Sequence, residues 1–342
     1  MQTPYLPTLE DVAREANVST ATVSRCLNLP DKVTEKTRNR VMAAVKSLGY
    51  SPNFGARALA AKRTNTIGAV VPTLENAIFA RGLQAFQEEV TRNGATLLVA
   101  SSSYQQELEE EQIRNLVARG ADALLLIGDD RSEEIYSFLK KRGIPWVIAW
   151  NFKDVPGHCF VGFNNQSAAK EITEMAIKLG HTRIAMIAGI TRGNDRARDR
   201  LLGVKDAIIE NGLPIEYFSV IEAQYSFADG GDAIETLLKN KPRPTLVICG
   251  NDILAVGAIK RLKSLGIKVP EDISITGFDD IEVASVVEPE LTTVHVPHRA
   301  MGTIAAASLL KMVKQDDPCE SQQLDTFIAV RQSLSNPPEG MN

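Results

Sequence analysis

The pattern of apolar and polar positions over the first fifty residues predicts three short helices. The first, LEDVAREA, follows Thr8, which can cap it, and its apolar side chains share one face: Leu9, Val12, Ala13 and Ala16. The second, TATVSRCL, follows the cap Ser19 after a two-residue turn, and the third, EKTRNRVMAAVKSLG, runs from the cap Thr34 to Gly49. Short helices joined in this way are typical of the helix-turn-helix, whose second helix enters the DNA major groove.

From Thr66 onward, short apolar runs rich in β-branched residues alternate with amphipathic helical stretches. TIGAVVP, ATLLVASS, ADALLLIG and PWVIAW form a first series, and CFVGF, RIAMIAG, FSVIEA, TLVICG and DISITGFDD form a second. This alternation predicts an α/β fold with two doubly wound lobes of parallel sheet, covered by helices on both faces. LTTVHVP is then expected to return the chain to the first lobe, before the helix RAMGTIAAASLLKMV, and FIAVRQSL to cross to the second.

The charged residues are unevenly distributed along the chain. The formal net charge of the 342 residues is −4, but residues 1–63 carry +5 and the remainder −9. A small basic segment joined to an acidic body is typical of a chain that binds a polyanion at one end. Solvated lysines on a helical domain would give the same imbalance, so charge alone leaves both interpretations open.

Composition favours a soluble globular protein, with 44% hydrophobic and 23% charged residues. The four cysteines, Cys26, Cys159, Cys249 and Cys319, form no close pair along the sequence, which argues against a disulfide framework and a zinc site. The start, MQTPYLPTLEDVAREA, lacks the pattern of a signal peptide, and no apolar run reaches membrane-spanning length. We therefore expect a cytoplasmic protein with no membrane partner.

Signals for catalysis or for a cofactor are weak. His295 and His298 form an HxxH pair on a strand leading into a helix, with no third metal ligand close in sequence, so we interpret them as loop histidines. GITRGNDR lacks the ending of a phosphate loop, and Ser102 and Ser103 have no partnered base. We predict no catalytic residue, no metal and no cofactor. The alternative kept open is a soluble metabolite-binding protein or enzyme with a Rossmann-like body and no sequence-specific DNA role.

Three segments carry a resemblance to a known family: TLEDVAREANVSTATVSRCLN, DKVTEKTRNRVMAAVKSLGYSPN and ARALAAKRTNTIGAVVP. From about Thr8 to about Leu334 the chain resembles the LacI/GalR family of bacterial transcriptional regulators. The resemblance implies a helix-turn-helix DNA-binding domain, a hinge helix, and a two-lobed body like that of periplasmic binding proteins. The implied bounds are 1–52 for the DNA-binding domain, 53–63 for the hinge and linker, 64–160 with 295–321 for the N-terminal lobe, and 161–294 with 322–342 for the C-terminal lobe.

The resemblance also implies how DNA is bound. Thr20, Ala21 and Arg25 match base-reading positions, and an arginine can donate two hydrogen bonds to one guanine. The positions that match phosphate contacts are Ser19, Thr22, Ser24, Asn28, Thr34 and Thr37. The expected complex is a homodimer on a pseudo-palindromic operator, because the symmetry of the site mirrors that of the protein.

The segment NFGARALAAKR is implied to be the hinge helix. It is alanine-rich and only about two turns long, so it needs a partner to stay helical. Leu59 matches the leucine that enters the minor groove, and Arg57 and Ala60 lie beside it. A plain alanine-rich linker is the alternative interpretation.

Side chains after the predicted strands are the ligand candidates, because parallel strands end at the same edge of a sheet. Those that match or approach the family's effector-binding positions are Phe79, Tyr104, Trp150, Asn194, Arg198, Tyr225, Asn251 and Asp279. Arg198 and Asp279 favour a sugar or sugar acid as effector, which implies a ligand-responsive regulator, most simply a repressor, of carbohydrate or related catabolic genes. Alternatively, Phe79 and Trp150 are core aromatics; Asp252 is expected to cap a helix.

Overall fold

A computed structural model of the chain describes residues 6–51, 63–315 and 320–339. The described residues form two compact units that divide between Thr64 and Asn65. The first unit contains α1 (Leu9–Glu15), α2 (Thr20–Asn28) and α3 (Glu35–Leu48). The predicted hinge residues Arg57, Leu59 and Ala60 lie outside the described residues.

Local hydrogen bonds fix where the helices of the first unit begin. Thr8 Oγ1 accepts from the Asp11 amide at 3.3 Å, and the Asp11 carboxylate accepts the Thr8 amide at 2.9 Å, which forms a capping box. Ser19 Oγ accepts from the Thr22 amide at 3.2 Å. Thr34 precedes α3, but its side chain makes no capping hydrogen bond, so its predicted role as a hydroxyl cap is wrong. The buried faces of the helices meet in a small core: Val12, Ala13, Ala16, Val23, Cys26, Val41 and Ala44.

The second unit contains two sheets. The first has the order β11-β5-β4-β3-β1-β2, from β1 (Thr66–Val71), β2 (Thr96–Ser101), β3 (Ala123–Ile127), β4 (Trp146–Ala149), β5 (Phe160–Gly162) and β11 (Gln322–Gln323). The second has the order β12-β10-β9-β8-β6-β7, from β6 (Ile184–Gly189), β7 (Ser219–Ala223), β8 (Leu246–Cys249), β9 (Ser274–Asp279), β10 (Thr292–His295) and β12 (Phe327–Ala329). All described pairings are parallel except that of β12 with β10. The predicted α/β fold with mostly parallel sheets is confirmed.

Helices cover both faces of each sheet. They are α4 (Ala77–Arg92), α5 (Gln106–Ala118), α6 (Glu133–Arg142), α7 (Asn165–Lys178), α8 (Asp195–Glu210), α9 (Phe227–Leu237), α10 (Asp252–Ser264) and α11 (His298–Gln315). α4 and α11 pack together against the first sheet, α7 and α8 pair against one face of the second, and α9 and α10 pair against its other face. Because β1 and β3 are buried throughout their length, their sequences are continuous apolar runs rather than alternating ones.

Two strands lie in the sheet opposite to the one we predicted. CFVGF supplies β5, which pairs with β4 in the first sheet, and LTTVHVP supplies β10, which pairs with β9 in the second. The chain returns to the first lobe only afterwards, with α11, and β11 also pairs with β5 of the first sheet. An apolar run shows that a strand is buried on both faces, but two buried parallel sheets have the same composition, so the run does not identify its sheet.

α4 and α11 cross at Gly82 and Gly302. A Cβ atom on Gly302 would overlap the Gly82 carbonyl oxygen, so the two backbones can approach only because this position has no side chain. We expect Gly302→Ala to lower the free energy of unfolding by about 1–3 kcal/mol through overpacking.

Urea unfolding of the Gly302→Ala variant measures this effect, and Gly231→Ala in α9 is the matched control. A Cβ at Gly231 would lie 3.5 Å from its nearest neighbour, an ordinary contact, so the control should be neutral or slightly stabilising. Equal stability of the two variants would contradict the crossing as the cause.

Candidate DNA-binding face and effector site

α2 exposes the side chains predicted to contact bases. Thr20, Ala21 and Arg25 are exposed, whereas Val23 and Cys26 of the same helix are buried. Arg25 makes no hydrogen bond or ion pair with the described residues, so none of these residues occupies a donor of its guanidinium. The exposed face of α2 therefore offers one long cation between short side chains, an arrangement that can enter a DNA groove.

The side chains predicted to bind phosphates are joined in local pairs in the same unit, at α2 and at the start of α3. The pairs are Ser19 Oγ with Thr22 Oγ1 at 2.9 Å, Asn28 Nδ2 donating to Ser24 Oγ at 3.3 Å, and Thr34 Oγ1 donating to Thr37 Oγ1 at 3.0 Å. A hydroxyl has one donor and two acceptor positions, so each pair keeps capacity for a phosphate oxygen. These pairs hold short polar side chains in place without adding charge.

In the second unit, side chains from the ends of both sheets meet around one narrow cavity. Its lining includes seven of the predicted effector-binding residues: Phe79, Tyr104, Trp150, Asn194, Tyr225, Asn251 and Asp279. The lining also includes Asn76, Ile78, Arg196 and Arg200. The free volume is about 10 Å³, room for a single water molecule, so a sugar-sized ligand requires the lobes or the lining side chains to move apart.

Aromatic rings form the walls of the cavity. Phe79 and Trp150 meet edge to face with centroids 5.6 Å apart, and both are buried in the core as well as lining the cavity. Tyr104 and Tyr225 approach each other from different lobes with centroids 5.8 Å apart. These two tyrosines also border cavities of about 730 Å³ and about 460 Å³, so they lie between the inner cavity and the larger spaces outside it.

Arg200 organises the polar side of the cavity. It is 4% exposed and donates from Nε to Asn165 Oδ1 at 2.9 Å, from Nη1 to the Gly250 carbonyl at 2.7 Å, and from Nη2 to Asp279 Oδ1 at 3.4 Å. Burial raises the pKa of Asp279 to about 6, against the opposing charge of Arg200. At neutral pH Asp279 is therefore an ionised acceptor facing the cavity.

Arg198, the arginine predicted to contact the effector, does not reach this cavity. Its guanidinium pairs with Asp130 at 3.0 Å, and its side chain is 44% exposed. Arg196 and Arg200 line the cavity instead. Residues four apart on a helix share a face, and Arg198, two residues from each of them, points away from that face. The i, i+4 spacing of arginines in DRARDR was the sequence signal that could have identified them.

A polar network joins the two lobes beside the cavity. Asp195, on α8, accepts from Asn151 Nδ2 at 2.7 Å and from the Asp129 amide at 2.9 Å, while Lys153 pairs with Asp129 at 2.9 Å. Although burial opposes ionisation of Asp195, the charge of Arg196 and these hydrogen bonds hold its pKa well below the ordinary value. Burial and the neighbouring Asp195 raise the pKa of Asp129 to about 6. The network places charges of both signs where the lobes meet.

The caps of two helices lie at the cavity. Asn194 Oδ1 accepts from the Ala197 amide at 3.4 Å and Asn251 Oδ1 from the Leu254 amide at 2.9 Å, so these side chains begin α8 and α10. Asp252 was expected to cap α10, but it is the first residue of that helix. It instead accepts from the Ile281 amide at 2.8 Å and fixes the turn after β9.

His298 is buried at the start of α11, so its interpretation as a loop histidine is wrong. Trp150 Nε1 donates to His298 Nδ1 at 3.2 Å, and because an indole N–H can only donate, the histidine proton lies on Nε2. His298 Nε2 then donates to the Asp279 carbonyl at 3.2 Å. Neutral His298 therefore connects Trp150 of the first lobe with Asp279 of the second.

His298 is expected to make the protein less stable in mild acid. Burial lowers its pKa from 6.5 to about 3. Between these values the unfolded chain takes up a proton that the folded protein excludes, so this contribution to stability is complete above pH 6.5 and is lost as the pH falls. At pH 5 the loss is about 2 kcal/mol.

The variant His298→Gln tests this, because a glutamine can accept from Trp150 and donate to Asp279 but does not titrate. Urea unfolding at pH 7 and pH 5 should show that the variant loses about 2 kcal/mol less than the wild type over this interval. The same loss in both proteins would show that His298 is not the group responsible.

Three further features of the described residues concern metal binding, membrane-spanning helices and the cysteines. Among them, no cluster of three or more His, Cys, Asp or Glu side chains is placed to hold a metal ion, and no helix has the length and apolar character needed to span a bilayer. Cys26 and Cys249 are buried free thiols. Cys159 is disulfide-bonded, so the lack of a close cysteine pair along the sequence did not exclude a disulfide, because spacing does not show which thiols meet in space.

Comparisons with known proteins agree with both units. The sequence profile described as bacterial regulatory proteins, lacI family, matches residues 8–53, and the profile described as a periplasmic binding protein-like domain matches residues 173–334. Catabolite control protein A of Priestia megaterium is 32% identical over 327 residues, which cover 95% of this chain and 98% of that protein. The HTH-type transcriptional repressor PurR of Aliivibrio fischeri is 32% identical over 335 residues, which cover 97% of this chain and 99% of the relative.

A similar solved structure is that of the lac repressor dimer bound to operator and the anti-inducer ONPF. It matches with a TM-score of 0.85 and 27% identity, and the match covers 97% of this chain and 100% of the repressor chain. The similarity therefore extends over a DNA-binding unit and a ligand-binding unit in one protein.

Proposed function

Because the chain belongs to the LacI family of bacterial regulatory proteins and is a DNA-binding transcriptional regulator rather than an enzyme, we propose that it is a cytoplasmic repressor controlled by a sugar or sugar acid. In this proposal a homodimer binds a pseudo-palindromic operator, and the effector binds in the cavity between the lobes. The genes controlled would encode carbohydrate or related catabolism.

DNA recognition in this proposal depends on α2. Arg25 reads a base pair with Thr20 and Ala21 beside it, and the hydroxyl pairs around α2 and α3 bind phosphates. The arrangement suits this division, because short hydroxyls fix the position of a helix on DNA while an exposed arginine can donate to base edges. Support also comes from the solved lac repressor dimer, which is bound to an operator.

Effector control depends on the cavity, and its position is the observation that carries the proposal. Residues from the strand ends of both sheets line it, so a ligand that contacts all of them changes how the lobes sit against each other. The polar groups of the cavity can form hydrogen bonds with ligand hydroxyls. The rings of Phe79, Tyr104 and Trp150 can pack against the apolar face of a sugar ring. Coupling to DNA requires only that the ligand bind one lobe arrangement better than another.

The test uses the purified full-length protein in two steps. Selection from random DNA followed by fluorescence anisotropy at about 50 and about 200 mM salt measures preference and salt dependence. A thermal-shift screen of carbon sources identifies ligands, which are then added to the DNA assay. We expect a two-fold symmetric preferred site whose affinity changes with at least one ligand. Binding without sequence preference would overturn the proposed role, and sequence-specific binding that no stabilising ligand alters would overturn effector control.

A further inference from the structure

Arg196 is a buried arginine whose hydrogen-bonding capacity is mostly unused. It is 8% exposed and lines the cavity. Its Nη1 donates to Asp195 Oδ1 at 2.7 Å, and within the described parts of the chain this is its one hydrogen bond. A guanidinium has five N–H donors. Among the described residues, no nitrogen of Arg196 is both fully enclosed and without a partner, so its remaining donors face open space at the cavity and can donate to a ligand there.

Arg200 shows the contrast within the same cavity. All three of its nitrogens donate to protein acceptors, namely Asn165, Gly250 and Asp279. Asp279 uses Oδ1 for this contact, and its Oδ2 accepts no hydrogen bond from the described residues. The cavity thus has a spare cationic donor at Arg196 and a spare anionic acceptor at Asp279.

The charges around the cavity favour an anion at Arg196. The lining has two guanidinium groups, Arg196 and Arg200, and one carboxylate, Asp279. Asp195 partly neutralises Arg196. It also accepts hydrogen bonds from Asn151 and from the Asp129 amide, so donors other than Arg196 help to stabilise the charge of Asp195. A guanidinium can contact two carboxylates through different edges, so Arg196 can bind a second one without leaving Asp195.

We propose that Arg196 binds a carboxylate of the effector while Asp279 accepts one of its hydroxyls, so that the effector is a polyhydroxy carboxylate and not a neutral sugar. The inference rests on the proposed function, because it concerns the same cavity. Arg196 also connects the ligand to the lobe contact: a Cβ at Gly128, after β3 of the first lobe, would overlap Arg196 Nη1. A ligand carboxylate that hydrogen-bonds to Arg196 would therefore affect the pairing of Arg196 with Asp195 and, through Asp195, the polar network between the lobes.

Calorimetric titration with matched pairs of probes tests the inference. Each pair is a five- or six-carbon aldonate or uronate and its neutral polyol or sugar of the same configuration, for example D-gluconate and D-glucitol. We expect at least one acid to bind and its neutral partner to bind about 10- to 100-fold more weakly, since a charge-assisted hydrogen bond is lost. Arg196→Gln should weaken the acid by the same factor and remove the preference for acids.

Two further variants separate binding from folding. Arg198→Gln removes a charge from the same helix outside the cavity and should keep the acid preference. The double variant Asp195→Asn/Arg196→Gln restores charge balance, so it should fold even where the single variant does not, and it should still lack the preference.

Several outcomes would overturn the inference. They are equal binding of an acid and its neutral partner, unchanged acid affinity in both Arg196 variants, and binding by none of the acids. Each is distinguishable from failure of the proposed function, because ligand-controlled binding to a selected operator is measured separately.

Discussion

Replacing Arg25 with alanine is expected to weaken binding to the preferred operator by about 10- to 100-fold, the usual effect of losing one bidentate arginine contact to a base pair. The side chain is exposed on α2 and has no partner among the described residues, so the substitution would remove the proposed DNA contact without breaking a contact within the described parts of the chain. Binding to random DNA should fall much less, because it depends on the total charge near phosphates. Fluorescence anisotropy with the selected operator and with random DNA measures both effects.

Arg14→Ala is the matched control for Arg25→Ala. Arg14 is exposed on α1 and pairs with Asp11 at 3.1 Å, a surface ion pair of small energetic value. The substitution removes one positive charge from the same unit, as Arg25→Ala does, but from a position outside α2. The affinities for the operator and for random DNA should therefore fall by similar factors. If Arg25→Ala also weakens both equally, Arg25 contacts phosphate and reads no base.

Local rules predicted the elements of this fold well, because capping and burial patterns are properties of short segments. Thr8 and Ser19 begin their helices as expected, and the apolar runs from Thr66 onward are strands. β5 and β10 were assigned to the wrong sheets, although each pairs with the strand that precedes it in the chain. The prediction placed both crossings between the lobes one strand too early, and composition does not mark a crossing because the two buried sheets are chemically alike.

The effector cavity was predictable where it follows from strand ends and unpredictable where it depends on helix orientation. Tyr225 and Asn251 follow β7 and β8, and Asp279 is the last residue of β9, so the edge of the second sheet brings them together. The choice between Arg196, Arg198 and Arg200 instead depends on where α8 begins, since a helix turns by 100° per residue. His298 was misinterpreted because its burial comes from the contact with Trp150, which is distant in the sequence.

Asp279→Asn is expected to abolish the response to the effector, with affinity reduced by about 100-fold or more, while operator binding without ligand is retained. The carboxylate is 1% exposed and faces the cavity beside Arg200, and losing one partner of a buried, hydrogen-bonded charge pair costs about 2–5 kcal/mol of binding. Asparagine keeps the size of the side chain and tolerates the positive φ of 105° found here. Calorimetric titration of the identified ligand and operator anisotropy with and without it measure the two effects.

Asp280→Asn distinguishes a role in the cavity from a general effect on the turn after β9. Asp280 is adjacent, also has positive φ, and pairs with Arg331 at 2.7 Å and His295 at 2.8 Å outside the cavity. Its substitution should lower stability but leave the ligand response within about threefold, since no ligand contact is removed. Thermal melts of both variants show whether each remains folded, because Asp279→Asn leaves Arg200 without its counter-charge. A folded Asp279→Asn variant with a full ligand response would place the effector elsewhere, and equal losses in the two variants would assign the effect to the turn.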